Sequence, residues 1–483
     1  MLVTLYTSRV VLRTLGVEDF GIFNVVGGIV VMFSFLNSAM SSATQRFLSF
    51  ELGKDNLKQF SKVFSMSINI HVLIALLIFV LAETVGLWFV NTHLVIPPDR
   101  MVAANWVYQC SIFSFMVTVV SVPYNASIIA YERMSAFAYI SILEVTLKLL
   151  IVFILQWLLF DKLKLYAVLL LTVAIVIRIV YGVYCKTKLD GCHYKWNKDR
   201  VLFKTLFSYA GWNLWGNLAS VGMSQGVNIL LNVFFGPAVN AARGIAYQVS
   251  AAVNMFCVNF QTAVNPQIIK YYASNNIKLM HKLIFQSAKY SYFLLLLLAL
   301  PILFQTEFIF QLWLINVPLY AVTYTKIVII IVLIDSISGP LMTGAQASGK
   351  IKLYQSLVGG LLLMILPISY YILLSYKNPT VPLLVNLGVS FVALMARLII
   401  LKYKIYLQLL EFVKKVILPI LKVTCLAIIT PYLLNRMLED GFLKFTIICI
   451  LTTMSTIFLI SIFGLSKNDR NYIINILKNK LKT

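Results

Sequence analysis

The stretch TLFSYAGWNLWGNLASVGMSQGVNILLNVFFGPAVNAA, residues 205–242, contains no Asp, Glu, Lys or Arg. About 20 predominantly apolar residues are enough to carry a helix across the hydrocarbon of a bilayer. Further charge-free runs occupy 244–269, 353–376, 378–396 and 445–466. A soluble domain cannot bury so many of them, so the chain reads as an all-α polytopic membrane protein. Composition agrees: of 483 residues, 60% are hydrophobic and 12% charged, against about 25% charged in soluble domains. Almost the whole chain is needed for spans. That leaves no sizeable domain for enzymes that work in water.

Apolar runs set against their charged breaks give candidate helices at 1–14, 20–47, 63–90, 101–130, 135–159, 164–184, 205–235, 238–269, 288–313, 321–348, 352–375, 380–401, 413–434 and 442–464. About 14 transmembrane helices are therefore expected. The first is too short to span, so the reading frame is expected to begin late, with residues missing upstream. No cleavable signal peptide is visible: Glu18 and Asp19 interrupt the start of the chain. Lys and Arg gather in alternate loops by roughly three to one, which places both termini in the cytoplasm. The net charge of +23 is explained by these loops, and no nucleic acid is expected. The six cysteines are scattered and fit no zinc spacing, so neither a metal nor a cofactor is expected.

The sequence partly repeats itself. LGVEDFGIFNVV…SSATQRFLSFELGK resembles FGPAVNAARGIAYQV…FQTAVNPQIIKYY, pairing Gly21 with Gly244 and Gln45 with Gln267. Trp88 pairs with Trp313, Pro123 with Pro340 and Arg133 with Lys350, at offsets between 217 and 225. A repeat of six helices keeps one orientation. It predicts two six-helix lobes related by a pseudo-two-fold along the membrane normal, plus two C-terminal helices. The expected organisation is a lobe at 1–184, a cytoplasmic linker at 185–204, a second lobe at 205–404, two further helices at 405–465 and a cytoplasmic tail at 466–483. Transporters built this way hold their substrate between the halves.

Three candidate helices carry polar stripes at helical spacing. Helix 2 has Asn24, Gly28, Ser34, Ser38, Ser41 and Gln45; helix 7 has Asn213, Asn217, Ser224, Asn228 and Asn232; helix 8 has Asn240, Gly244, Gln248, Asn254, Gln261 and Asn265. Side-chain amides avoid lipid, because an unsatisfied amide there costs several kcal/mol. They either bond between helices or line a wet cavity. The second reading makes Asn24, Ser38, Gln45, Asn213, Asn217, Asn228, Gln248, Asn254, Gln261 and Asn265 candidates for lining a cavity that takes a neutral, polyhydroxylated ligand. Basic residues also fall in or near spans: Arg9, Arg13, Arg46, Lys148, Arg178, Arg243 and Arg397. A guanidinium fork suits phosphate oxygens, and Arg9, Arg13 and Arg46 cluster beside the helix 2 stripe. Glu144 and Lys148 are spaced to neutralise one another. Asp335, deep in a span, and Glu144 are candidates for ion coupling. No P-loop, H-E-x-x-H motif or large outer loop with paired carboxylates occurs, so no enzymatic activity is expected.

The opening run TLYTSRVVLRTLGVEDFGIFNVVGGIVVMFSFLNSAMSSATQRFLSFELGK (4–54) resembles the Wzx-type polysaccharide flippases, of the superfamily that includes MATE drug exporters and the lipid II flippase. The likeness extends over 1–465, and its most specific piece is the LG turn into helix 2 followed by TQRF. It implies a cavity between lobes lined by helices 1, 2, 7 and 8. The implied cargo is an undecaprenyl-diphosphate-linked oligosaccharide, carried across the bacterial inner membrane by alternating access for O-antigen (lipopolysaccharide) or capsule assembly. It also implies that Arg9, Arg13 and Arg46 hold the diphosphate, and that the partners, besides membrane lipids, are polysaccharide polymerase and chain-length proteins. The alternative is a MATE-type, cation-coupled multidrug exporter, which calls for a cavity dominated by acids.

Overall fold

The computed structural model describes residues 2–31, 34–92, 94, 96–157, 160–314, 316–466 and 470–471, without the side chains of 2–9, 12, 17, 29, 31 and 34–36. All regular structure among the described residues is helical. The elements are α1 (Leu2–Val31), α2 (Ser34–Gly53), α3 (Leu57–Thr92), α4 (Pro98–Ala130), α5 (Met134–Trp157), α6 (Lys162–Lys188) and α7 (Arg200–Phe235). They continue with α8 (Pro237–Ala273), α9 (Ile277–Trp313), α10 (Ala321–Ala347), α11 (Lys352–Ser375), α12 (Val381–Ile405), α13 (Leu409–Met437) and α14 (Phe442–Gly464).

Eleven of these, α3–α7 and α9–α14, are long and apolar enough to cross a membrane. That is fewer than the fourteen expected. The remaining segments are α1, α2 and α8; in α2 and α8 the polar stripes, with Ser38 and Gln45 or with Gln248, Asn254, Gln261 and Asn265, lower the apolarity of otherwise long helices. The expected boundaries also change at the start. The first break falls at Gly16, whose φ of 83° and ψ of 169° interrupt α1. The expected helix 20–47 is divided between the later part of α1 and α2, with residues 32 and 33 outside the description. Gly236, at φ 80° and ψ −177°, precedes α8 with the same backbone. Only glycine adopts that region without strain.

The chain forms two compact units, Met1–Asn217 and Leu218–Thr483. The division between these units lies inside α7. In the first unit Ile22, Val26 and Val30 of α1 pack with Val90 of α3, Tyr108 and Ile112 of α4, and Leu163 and Ala167 of α6. The fully buried Tyr108 donates its hydroxyl to the Ala82 carbonyl at 2.7 Å. At one end Arg100, which starts α4, pairs with Asp19 of α1 and, at 3.4 Å, with Asp161, the N-cap of α6. Three helices are thus tied at a single guanidinium.

At the other end, the loop 189–199 is strapped along α3. Ser65 Oγ accepts from the Lys195 amide at 3.0 Å, and the Asn69 amide meets both the Tyr194 hydroxyl, at 2.9 Å, and the Asn197 carbonyl, at 3.3 Å. Tyr131 donates to the Asp190 carbonyl at 2.7 Å. Burial pushes the Tyr131 hydroxyl up to about 12, which keeps it a donor at any physiological pH.

In the second unit Val227 and Leu231 of α7 and Ala242 and Ala246 of α8 pack with Phe310 of α9. Tyr324 and Val328 of α10 and Leu383 of α12 close the same cluster. The fully buried Tyr324 donates to the Pro379 carbonyl at 2.6 Å.

Candidate functional site

A cavity of about 780 Å³ opens inside the first unit among α1, α2, α4, α5 and α6. Its chemistry comes mainly from one face of α4, where Ser111, Ser114, Thr118, Ser121 and Asn125 recur three and four residues apart and all line it. Thr118 and Ser121 donate to the carbonyls of Ser114 and Val117, one turn back, at 2.9 and 2.7 Å. With the proton engaged in that way, each hydroxyl presents its oxygen as an acceptor. Asn125 donates to the Tyr181 hydroxyl of α6 at 3.2 Å. Asn24 and Gly28 of α1, with Asn37 and Ser41 of α2, line the other side.

The cavity holds one ion pair. Lys148 Nζ lies 2.6 Å from Glu144 Oε1, and both side chains are open to the cavity, 48% and 39% exposed. A hydrated pair of this kind contributes little stability, about 0–1 kcal/mol. Its effect is to leave the wall nearly neutral, a surface of amides, hydroxyls and a phenol.

The other sequence candidates fall into distinct environments. Arg46 of α2 is buried, with its guanidinium carbon 4.5 Å from the ring centres of both Phe47 and Phe50 and 5.8 Å from that of Tyr209. A cation facing aromatic rings keeps its charge at low solvation cost. Arg13 is exposed, and the side chain of Arg9 lies outside the described residues. Asn213 is buried beside Tyr209. Asn217 donates to Ser38 at 3.0 Å, and both belong to the first unit. Gln45 is half-buried on α2.

In the second unit the amides serve mostly as partners for other groups. Asn228 accepts from Arg243 at 2.7 Å, and Ser224 accepts from the same guanidinium at 3.1 Å. Arg243 itself is buried and lies 4.4 Å from the Tyr247 ring centre. Gln261 donates to the Ser336 carbonyl at 2.9 Å and to Ser291 at 3.0 Å. The reason is local. Pro340 has no amide hydrogen and so leaves the carbonyl four residues earlier, that of Ser336, without a helical donor. Gly339 supplies the room, since a Cβ there would collide with the Gln261 amide. Asn265 accepts from Thr343 at 2.9 Å. These two residues hold α8 against α10. Gln248 is exposed on α8 and Asn254 half-buried.

A second polar cluster surrounds Asp335. Arg397 of α12 donates to the Tyr354 hydroxyl and to Ser338, both at 3.1 Å. Arg397 and the Ser390 hydroxyl are the neighbours of the Asp335 carboxylate. The sequence reading named Asp335 and Arg397 separately, without this grouping. It did not single out the α4 row either, although the spacing of 111, 114, 118, 121 and 125 signals it.

Solved structures of other proteins share this fold. An outward-facing multidrug resistance MATE family transporter of the MOP superfamily superposes with a TM-score of 0.72, over 84% of this chain and 92% of its own, at 12% identity. A MATE protein in a bent conformation gives 0.71 at 13% identity, covering 84% and 91%. A MOP superfamily transporter from Pyrococcus furiosus, described by the reverse polarity of its binding pocket, gives 0.70 at 13% identity, covering 84% and 92%. The fold is therefore the one found in these MATE and MOP superfamily structures. No curated protein matches the chain. A family described as polysaccharide biosynthesis protein matches residues 1–271, more than half of the chain and as far as the end of α8, and the chain belongs to that family.

Proposed function

We propose that this protein is a flippase for undecaprenyl-diphosphate-linked oligosaccharide repeat units. It works by alternating access in the bacterial inner membrane, with both termini in the cytoplasm, and supplies O-antigen or capsule assembly. The observation that carries the reading is the α4 row in the first unit. Five neutral hydrogen-bonding side chains face a cavity in which, among the described residues, the charges cancel within one pair. Sugar hydroxyls, which both donate and accept, are matched by such a wall. A cationic drug would call for an excess of carboxylates. Arg46 and Arg13 are the diphosphate candidates with described side chains, and Asp335 is the candidate for ion coupling. Polymerase and chain-length proteins are the partners this role requires.

The test is reconstitution into liposomes with a fluorescent undecaprenyl-diphosphate oligosaccharide and a membrane-impermeant quencher. Protein-dependent loss of the protected lipid pool is expected, and Arg46→Ala should slow it while the protein stays in the membrane. Vesicles that transport ethidium but leave the glycolipid in place would overturn the proposal and favour drug export.

A further inference from the structure

A second concavity, of about 720 Å³, lies on the first unit between α3 and the segment 194–203. Its floor is apolar: Val72, Leu73 and Leu76 of α3 are each at least 40% exposed. Its wall is aromatic, built from Tyr194, Trp196 and Phe203. The strap that carries two of these rings is fixed by the Asn69 and Ser65 hydrogen bonds, so the groove is a built feature. Charge sits at one end only. Lys198 and Arg200 are exposed there and make no ion pair among the described residues. Asp199 lines the same end and caps α7 by accepting from the Leu202 amide at 2.9 Å, so the two cations exceed the acid there by one charge.

We infer that this groove binds one anionic phospholipid, with an acyl chain laid along α3 beneath the aromatic wall and the phosphate held by Lys198 and Arg200. The strap joins the ends of α6 and α7, both long enough to span, so it lies at the level of lipid headgroups. Tyrosine and tryptophan favour that level, having an apolar body and a polar tip. An apolar trough at that depth is filled by an acyl chain. The net positive charge at its mouth selects a negatively charged headgroup over a zwitterionic one. The proposal concerns the resident lipid and does not rest on the identity of the cargo.

Trp196, 70% exposed in the groove, provides the readout. The purified chain is placed in phosphatidylcholine nanodiscs containing a small, equal fraction of dibrominated phosphatidylglycerol or dibrominated phosphatidylcholine, and tryptophan quenching is compared. Phosphatidylglycerol should quench several-fold more strongly. That excess should vanish in Trp196→Phe and fall several-fold in the double variant Lys198→Gln/Arg200→Gln, whose exposed positions leave the fold intact. Equal quenching by the two lipids would overturn the inference, as would an excess that survives the double variant. Reversal of the excess by substoichiometric undecaprenyl diphosphate would overturn it as well, by assigning the groove to the cargo.

Discussion

Tyr108 and Tyr324 stand 216 positions apart, and each is fully buried with its hydroxyl on a backbone carbonyl. Gly16 and Gly236 share one unusual backbone conformation at an offset of 220. Asp55 and Asn275 both have positive φ, and Asn56 and Asn276, which follow them, cap α3 and α9 by accepting from the amide three residues on. Even the turns after α4 and α10 match, with Glu132 and Gly349 at φ 58° and 73°. What differs is charge. Thr118, in the first unit, sits at the repeat position of Asp335, at the same offset as Pro123 and Pro340. The first unit keeps its cavity neutral and sets its buried Arg46 against aromatic rings, whereas the second hydrogen-bonds its buried Arg243 to Asn228 and groups Asp335 with Arg397. The scaffold is duplicated down to its caps, and the polar chemistry has diverged on it.

The largest expected effect tests that contrast through stability. Asn228→Leu removes the closest acceptor of a buried guanidinium and should cost about 3 kcal/mol. Asn125→Leu, beside the open cavity, should cost about 1 kcal/mol or less. Thermal unfolding of both variants in detergent checks this, and equal losses would mean that the second unit does not depend on buried charge in the way argued. Next comes Gly339→Ala, which displaces Gln261 and should cost about 2 kcal/mol. Alanine at the repeat-equivalent Val122 should cost less.

Asp335→Asn should slow glycolipid movement driven by a pH gradient by about tenfold, equivalent to roughly 1.4 kcal/mol, while leaving counterflow unchanged. Thr118→Asp should not restore it. Rates measured in liposomes with and without the gradient decide the matter, and an unaltered driven rate removes Asp335 from coupling. The smallest effect is expected at the tyrosines. Tyr324→Phe strips the Pro379 carbonyl of its donor and should cost about 1 kcal/mol. Tyr108→Phe should cost less, because the Ala82 carbonyl still accepts from the Leu87 amide. Matching melting shifts would show that the two carbonyls are equivalent.

Much of this was legible in the residues. Charged breaks located most helices, and the offset between Pro123 and Pro340 revealed the repeat, because both depend on local spacing. The α4 row was equally legible, but its members are hydroxyls inside an apolar run and are outweighed by Phe, Val and Ile around them. The roles of the amides were not legible. Asn228 and Gln261 look alike on a helical wheel, yet one is bound to an arginine across the Gly236 turn and the other to a carbonyl exposed by a proline on a different helix. Such pairings depend on which helices meet and in what register, and a stripe does not encode that.

Pro340 has a mechanical consequence. At that level α10 lacks one rung of its own ladder, and the substitute is a side chain from α8. The stiffness of α10 is thus on loan from its neighbour. A displacement that draws Gln261 away would turn a braced rod into a jointed one, without any change in the residues of α10 itself.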